Sequence, residues 1–138
     1  MEKIVFNGKD AVFGRLASEV AKNLLRGNTV EVINCQDIIV SGNKQQFVQR
    51  IIDKKKMGQG SSLKGPMYSR LEDKLIRRMI RGMLPWDRPK GREAYRRLRC
   101  YKGSGTLKAE ELKNAKSFEG NRKPMKYFVI KEAAKLIS

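Results

Sequence analysis

The sequence predicts an α/β fold of strand–helix–strand units around a parallel sheet, and three observations carry that prediction. Between Lys3 and Lys56, short β-rich apolar runs alternate with longer stretches of helical periodicity. The β-rich runs are nearly continuous in their apolarity, as strands covered on both faces of a parallel sheet must be. The chain has 138 residues, 40% of them hydrophobic, enough for one domain with a real core. The expectation is a single domain over residues 1–138.

The elements follow in order. Lys3–Phe6 reads as a strand closed by an Asn7-Gly8 turn. Phe13–Arg26 reads as a helix, because Leu16, Ala17, Val20, Ala21 and Leu24 share one face. Gly27 stops it, with Arg26 suited to the negative end of the dipole. Thr29–Asn34 and Ile38–Val40 are further strand candidates, the first interrupted by Glu31. Ser41-Gly42-Asn43 is a turn in which Asn43 can cap a helix, with Gln46 three residues on. That helix, Lys44–Lys56, carries Phe47, Val48, Ile51 and Ile52 on one face and ends in three lysines. A Gly/Ser-rich loop occupies Met57–Pro66, and a second loop Lys102–Thr106. Tyr127–Ile130 is a last strand candidate, followed by a short helix, Lys131–Ile137. There are no internal repeats.

Charge sets the middle of the chain apart. The net charge is +17, from 31 Lys/Arg and 14 Asp/Glu. Residues 1–43 are neutral, with five of each sign; residues 44–102 hold eighteen Lys/Arg against five Asp/Glu. A polyanionic partner is the natural inference, with the basic region at about 44–102 facing it.

Within that region, Ser69 to Glu72 has the form of a capping box opening a helix. At about 100° per residue, Leu71, Leu75, Ile76, Met79, Ile80 and Met83 fall on one side. Arg70, Lys74, Arg77, Arg78 and Arg81 fall on the other. Solvated helix faces usually mix signs, because like charges four apart repel; Lys74/Arg78 and Arg77/Arg81 are such pairs. An anion-facing surface is therefore the better reading. Gly82 and Pro85 break this helix, and a second runs from about Pro89 to Leu98, with Ala94, Tyr95 and Leu98 as a narrow apolar stripe. Lys90, Arg92, Arg96, Arg97 and Arg99 surround the stripe, and eight of the thirteen arginines lie between Arg77 and Arg99. Arginine offers a planar fork for phosphate and a face for stacking. Trp86 and Tyr95 are read as packing residues at the junction; stacking on bases is the alternative role.

Other chemistry is poorly supplied. With no histidine, the usual general base and commonest metal ligand are missing. Cys35 and Cys100 form no CxxC motif and read as two reduced thiols, a disulfide being the alternative. Gly103–Lys108 lacks the GxxxxGK[ST] spacing of a phosphate loop, and Asp37, Asp53, Asp73 and Asp87 form no obvious carboxylate cluster. No run approaches the roughly 20 apolar residues of a membrane span, and the first residues lack a secretory signal pattern. A cytosolic protein without cofactor or metal is the expectation.

The sequence resembles a known family: the thirteenth large-subunit ribosomal protein in its archaeal and eukaryotic-like form. The resemblance is carried by Met79–Trp86, Arg88, Gly91-Arg92 and Arg97–Gly103. Gly14–Ser18, Val32–Asn34 and Ile39–Lys44 match in order, and the longer insertion of bacterial relatives after the first helix is absent. The resemblance implies a three-layer α/β/α fold with a four-stranded parallel sheet, here with a basic helical extension. It implies a non-enzymatic, cytoplasmic constituent of the large ribosomal subunit that binds ribosomal RNA and supports assembly. The expected partners are large-subunit ribosomal RNA and neighbouring ribosomal proteins; no membrane, small-molecule substrate or homo-oligomer is expected. Arg77, Arg81, Arg88, Arg92, Arg97 and Lys102 fall in or beside the family's basic motif. Charge adds Arg15, Lys44, Lys54, Lys55, Lys56 and Lys64 as candidate RNA contacts, with Arg70, Lys74, Arg78, Lys90, Arg96 and Arg99 from the two helices. A nucleotide-using or nucleic-acid-processing enzyme and a free regulatory RNA-binding or protein-interaction module are the competing classes.

Overall fold

The computed structural model describes residues 2–57, 65–117 and 122–137. β1 (Lys3–Asn7), α1 (Phe13–Leu25) and β2 (Thr29–Ile33) form the first unit, with β1 and β2 parallel and in register from Lys3/Thr29 to Asn7/Ile33. Gly8 makes the turn out of β1 possible. A β-carbon there would stand 2.8 Å from Ile38 Cγ1 and 3.0 Å from the Ile33 carbonyl. At the far end Gly27 adopts φ +96°, a conformation that ends α1 at no steric cost to glycine.

β3 (Ile39–Ser41) leads into α2 (Lys44–Lys56), capped by Asn43, whose side-chain oxygen accepts from the Gln45 N–H at 2.9 Å. Next come α3 (Glu72–Arg81), α4 (Pro89–Arg96) and β4 (Leu98–Cys100). α5 (Ala109–Lys113), β5 (Lys116–Ser117), β6 (Tyr127–Val129) and α6 (Ile130–Leu136) complete the order. The fold is a three-layer α/β/α arrangement on a four-stranded, all-parallel sheet of order β4-β2-β1-β5.

Phe6, Val30, Val32 and Leu98 of the sheet join Leu16, Val20 and Leu24 of α1 in the core. Leu75, Ile76 and Ile80 of α3 and Ala94 of α4 complete that side. Side chains alternate across a strand, so Lys3 and Glu31 lie on the opposite face. There Lys3 Nζ is 3.4 Å from Glu31 and 3.0 Å from Glu111 of α5.

Three local expectations are corrected. Two of the sheet's four strands are not those the apolar runs suggest. Ile39–Ser41 and Tyr127–Val129 pair antiparallel with each other in a separate ribbon. The places beside β2 and β1 go to β4 and β5 instead. The second basic helix stops at Arg96 rather than Leu98, because Val30 and Val32 recruit Leu98 and Cys100 into the sheet. There is no capping box at Ser69: α3 begins at Glu72, and Ser69 Oγ accepts from the Leu71 N–H at 3.1 Å. Glu72 is buried and meets Lys102 Nζ at 3.3 Å. The Met57–Pro66 loop falls largely outside the described residues. Both cysteines are free thiols, and contact with Cys100 together with burial holds the Cys35 thiol far above the ordinary range.

Candidate nucleic-acid interface

α3 and α4 meet at a bend whose geometry depends on one glycine. Gly91 is buried against Pro85; a β-carbon on it would lie 2.1 Å from the Pro85 carbonyl oxygen. This contact draws the start of α4 onto the Leu84–Trp86 turn. Trp86 then packs edge-on against Tyr95, ring centres 5.2 Å apart at 89°. The expected packing role of both rings is what the fold displays.

The rings also hold arginines. Arg81 lies over Trp86 at 3.9 Å and Arg77 over Tyr95 at 4.3 Å. Arg92 is 6.0 Å from the Trp86 ring and donates from Nε to the Trp86 carbonyl at 3.0 Å. On the α2 side, Arg78 and Lys54 approach Tyr68 at 5.1 and 5.3 Å, and Lys54 donates to the Tyr68 hydroxyl at 3.3 Å. Such contacts contribute about 0.5–2 kcal/mol each, depending on desolvation. They restrict long side chains that would otherwise sample many rotamers.

No arginine from Arg70 to Arg99 lies within ion-pair distance of a described carboxylate. Lys3, Lys44 and Lys102 do form ion pairs, with Glu31 and Glu111, Glu132, and Glu72. Arg77, Arg78, Arg81 and Arg92 are therefore held by rings or a backbone carbonyl, and no described carboxylate pairs with them.

The candidates divide by environment. Lys74, Arg88, Lys90 and Arg96 are exposed on the surface of α3 and α4, and Arg70 is exposed just before α3. Arg99 is exposed on β4 and donates to the Arg96 and Leu98 carbonyls. Arg97 turns inward: it donates to the Leu24 carbonyl at 2.7 Å, across the C-terminal end of α1, with its Nε buried. Arg77 is half-buried, donating to the Tyr95 carbonyl at 3.4 Å. Lys102 is paired with Glu72, and Lys44 stands 3.9 Å from Glu132. Lys55 and Lys56 end α2. Arg15 sits apart, in a cleft of about 380 Å3 shared with Arg122 and Lys123. Lys64 lies outside the described residues.

One residue escaped the sequence reading. Arg50 lines a groove of about 520 Å3 together with Lys54, Arg78 and Arg81. The signal was present: Arg50 and Lys54 are four apart on α2, the same spacing that singles out Lys74 and Arg78. The groove's other walls are Phe13, Phe47, Ile51, Leu84 and the rings of Tyr68 and Trp86.

No group of three or more His, Cys, Asp or Glu able to hold a metal ion occurs among the described residues. No described helix is long and apolar enough to cross a membrane. Fold and surface together define a class: a small basic α/β protein that presents an array of guanidinium groups, several of them held against aromatic rings. The chain belongs to the ribosomal protein L13 family, whose model matches residues 1–107. It is 44% identical over 103 residues to the large ribosomal subunit protein uL13 of Methanopyrus kandleri, covering 75% of this chain and 64% of that protein. The uL13 of Archaeoglobus fulgidus is 39% identical over 99 residues, covering 72% and 62%. That of Methanocaldococcus jannaschii is 37% identical over 102 residues, covering 72% and 74%. The match thus spans less than two thirds of the first two relatives.

Proposed function

We propose that this protein is a structural, non-enzymatic constituent of the large ribosomal subunit in the cytoplasm. It binds large-subunit ribosomal RNA through the arginine-rich helix–bend–helix of α3 and α4 and supports subunit assembly, with neighbouring ribosomal proteins as further partners. The carrying observation is the set of α3–α4 arginines held by rings and backbone carbonyls with no described carboxylate beside them. The family and the names of the relatives supply the ribosomal setting. The exposed cations Arg70, Lys74, Arg88, Lys90, Arg92, Arg96 and Arg99 are the direct phosphate contacts in this reading. Arg81, stacked on Trp86, joins them, whereas Arg77 and Arg97 chiefly hold the surface together. Folded RNA is then recognised through its shape, phosphates and 2′-hydroxyls.

The test is a titration of the purified protein with a large-subunit ribosomal RNA fragment at two salt concentrations. About six phosphate contacts give an affinity loss of roughly a thousandfold between 50 and 200 mM salt. Weak, salt-insensitive binding overturns the reading. Cosedimentation with large subunits through a high-salt wash separates the ribosomal role from that of a free RNA-binding module.

A further inference from the structure

We infer that the groove between α2 and the end of α3 receives one unpaired nucleotide of a folded RNA, the base among the rings and its phosphate at the cationic rim. The inference rests on the RNA-binding reading above and adds a base-receiving subsite to a surface otherwise fitted for phosphates.

The groove joins two unlike surfaces. Its walls are the rings of Phe13, Phe47, Tyr68 and Trp86. Its rim carries Arg50, Lys54, Arg78 and Arg81, and no carboxylate is among the described lining residues. The volume of about 520 Å3 falls within the roughly 300–1,000 Å3 of pockets that enclose small organic ligands. Lys54 and Arg78 stand over Tyr68, and Arg81 over Trp86, so an entering base meets a guanidinium plane on which it can stack beside cations for its phosphate. A nucleotide has that composition: a flat π-face that stacks on rings and an attached anion. A paired base cannot enter, because both its faces are covered in the helix; an unpaired one can be splayed out.

Other occupants fit less well. A second copy of the chain would bring a net charge of +17 against another +17. An apolar peptide would fill the floor but cover guanidinium groups without pairing them.

Trp86 is the chain's one tryptophan, so the wild-type protein reports on its own groove. Two RNA hairpins with the same stem, one carrying a single extrahelical adenosine and one fully paired, are titrated at fixed salt. Both bind through charge. The bulged hairpin is expected to bind roughly tenfold tighter and to quench Trp86 emission more strongly. Gly82→Leu fills the groove without changing charge: Gly82 is exposed at the end of α3 with φ −63°, and a β-carbon there lies 3.4 Å from its nearest neighbour, the Met79 carbonyl oxygen. This variant is expected to bind both hairpins with the wild type's affinity for the paired one. If circular dichroism shows Gly82→Leu unfolded, Tyr68→Ala, outside any helix or strand, replaces it, and its readout is the ratio of the two hairpin affinities, which is expected to fall to about one whatever the change in overall affinity. Equal affinity and equal quenching for the two wild-type complexes overturn the groove and leave the RNA-binding reading standing; an apolar peptide occupant gives this result. A tenfold preference that survives the substitution also overturns the groove. Failure of the wild type to bind either hairpin overturns the RNA-binding reading itself.

Discussion

α1 and α3 solve the same packing problem and differ in what they show to solvent. Each is amphipathic and turns fully buried apolar side chains to one core: Leu16, Ala17, Val20 and Leu24 from α1, Leu75, Ile76 and Ile80 from α3. The outer face of α1 mixes signs, with Arg15, Glu19 and Lys22 all exposed. The outer face of α3 is cationic beyond its first turn, and Arg77, Arg78 and Arg81 are only half-exposed because Tyr95, Tyr68 and Trp86 lie against them. The core dictates the inner faces and leaves the outer ones free. An outer face that spends aromatic rings on orienting like charges therefore carries information about a partner.

The inner faces should respond alike. Leu16→Ala and Leu75→Ala each remove a fully buried side chain. Each is expected to cost about 2–5 kcal/mol of stability, measured by denaturant unfolding. A much smaller loss for Leu75→Ala would mean that α3 is not anchored as α1 is.

The outer faces should respond differently. Neutralising Arg81, Arg88, Arg92 and Arg96 together to Gln is expected to weaken RNA binding roughly a hundredfold or more at low salt and to flatten its salt dependence. Far-ultraviolet circular dichroism should remain unchanged. The control, Lys22→Gln with Arg26→Gln at the end of α1, removes two exposed charges and is expected to weaken binding much less than the four-arginine variant does. Equal losses in the two variants would reduce the α3–α4 surface to its net charge alone.

Arg97 sharpens the contrast from the other side, because it belongs to the basic region by sequence yet turns inward, half-buried against the end of α1. Its guanidinium donates to the Leu24 carbonyl at 2.7 Å, where a cation suits the C-terminal end of α1. Arg97→Gln is expected to cost about 1–3 kcal/mol of stability, the range for a half-buried, charge-assisted hydrogen bond. RNA affinity of the folded variant should change little. A large affinity loss at unchanged stability would move Arg97 to the outer surface.

Arg97 also marks where sequence reading stops. The strand β1, the helices α1 and α2 and the apolar side of α3 were legible, because each repeats its pattern over several residues. β4 and β5 were not: Leu98–Cys100 has one fully apolar inward residue, and Lys116–Ser117 has none. Those strands exist because β2 and β1 offer open edges, which is information held by the partner strand. The run Ile39–Ser41 announced a strand but not its neighbour; the antiparallel choice is set by β6, with the Ile130 N–H donating to the Ile38 carbonyl. The cationic face of α3 was legible by the same periodicity. The inward turns of Arg77 on α3 and Arg97 after α4 were not, since pointing toward Tyr95 or Leu24 depends on residues 18 and 73 positions away. The groove was illegible for the same reason, as its walls come from α1, α2, α3 and the bend.

The smallest effect is expected on the far side of the sheet, where Lys3 pairs with Glu31 and Glu111. A hydrogen bond from the Lys3 ammonium, then one from the Lys108 N–H, holds the Glu111 carboxyl below its usual 4.5, and Glu111 raises Lys3 above 10.5. A depressed carboxyl stabilises the folded state above its unfolded value and loses that contribution as pH falls through the lower folded value; a raised ammonium behaves oppositely at high pH. The contact should thus be fully present between about pH 5 and 10 and weaken outside that window. Because both groups are partly exposed and screened, the expected result is local. Amide protection across Ala109–Ser117, measured against the intrinsic exchange rate at each pH, should fall as the Glu111 carboxyl becomes protonated, and Glu111→Gln should remove that pH dependence with RNA affinity unchanged. If Glu111→Gln altered RNA binding as much as the four-arginine variant does, position on the α3–α4 surface would no longer distinguish functional charge from structural charge.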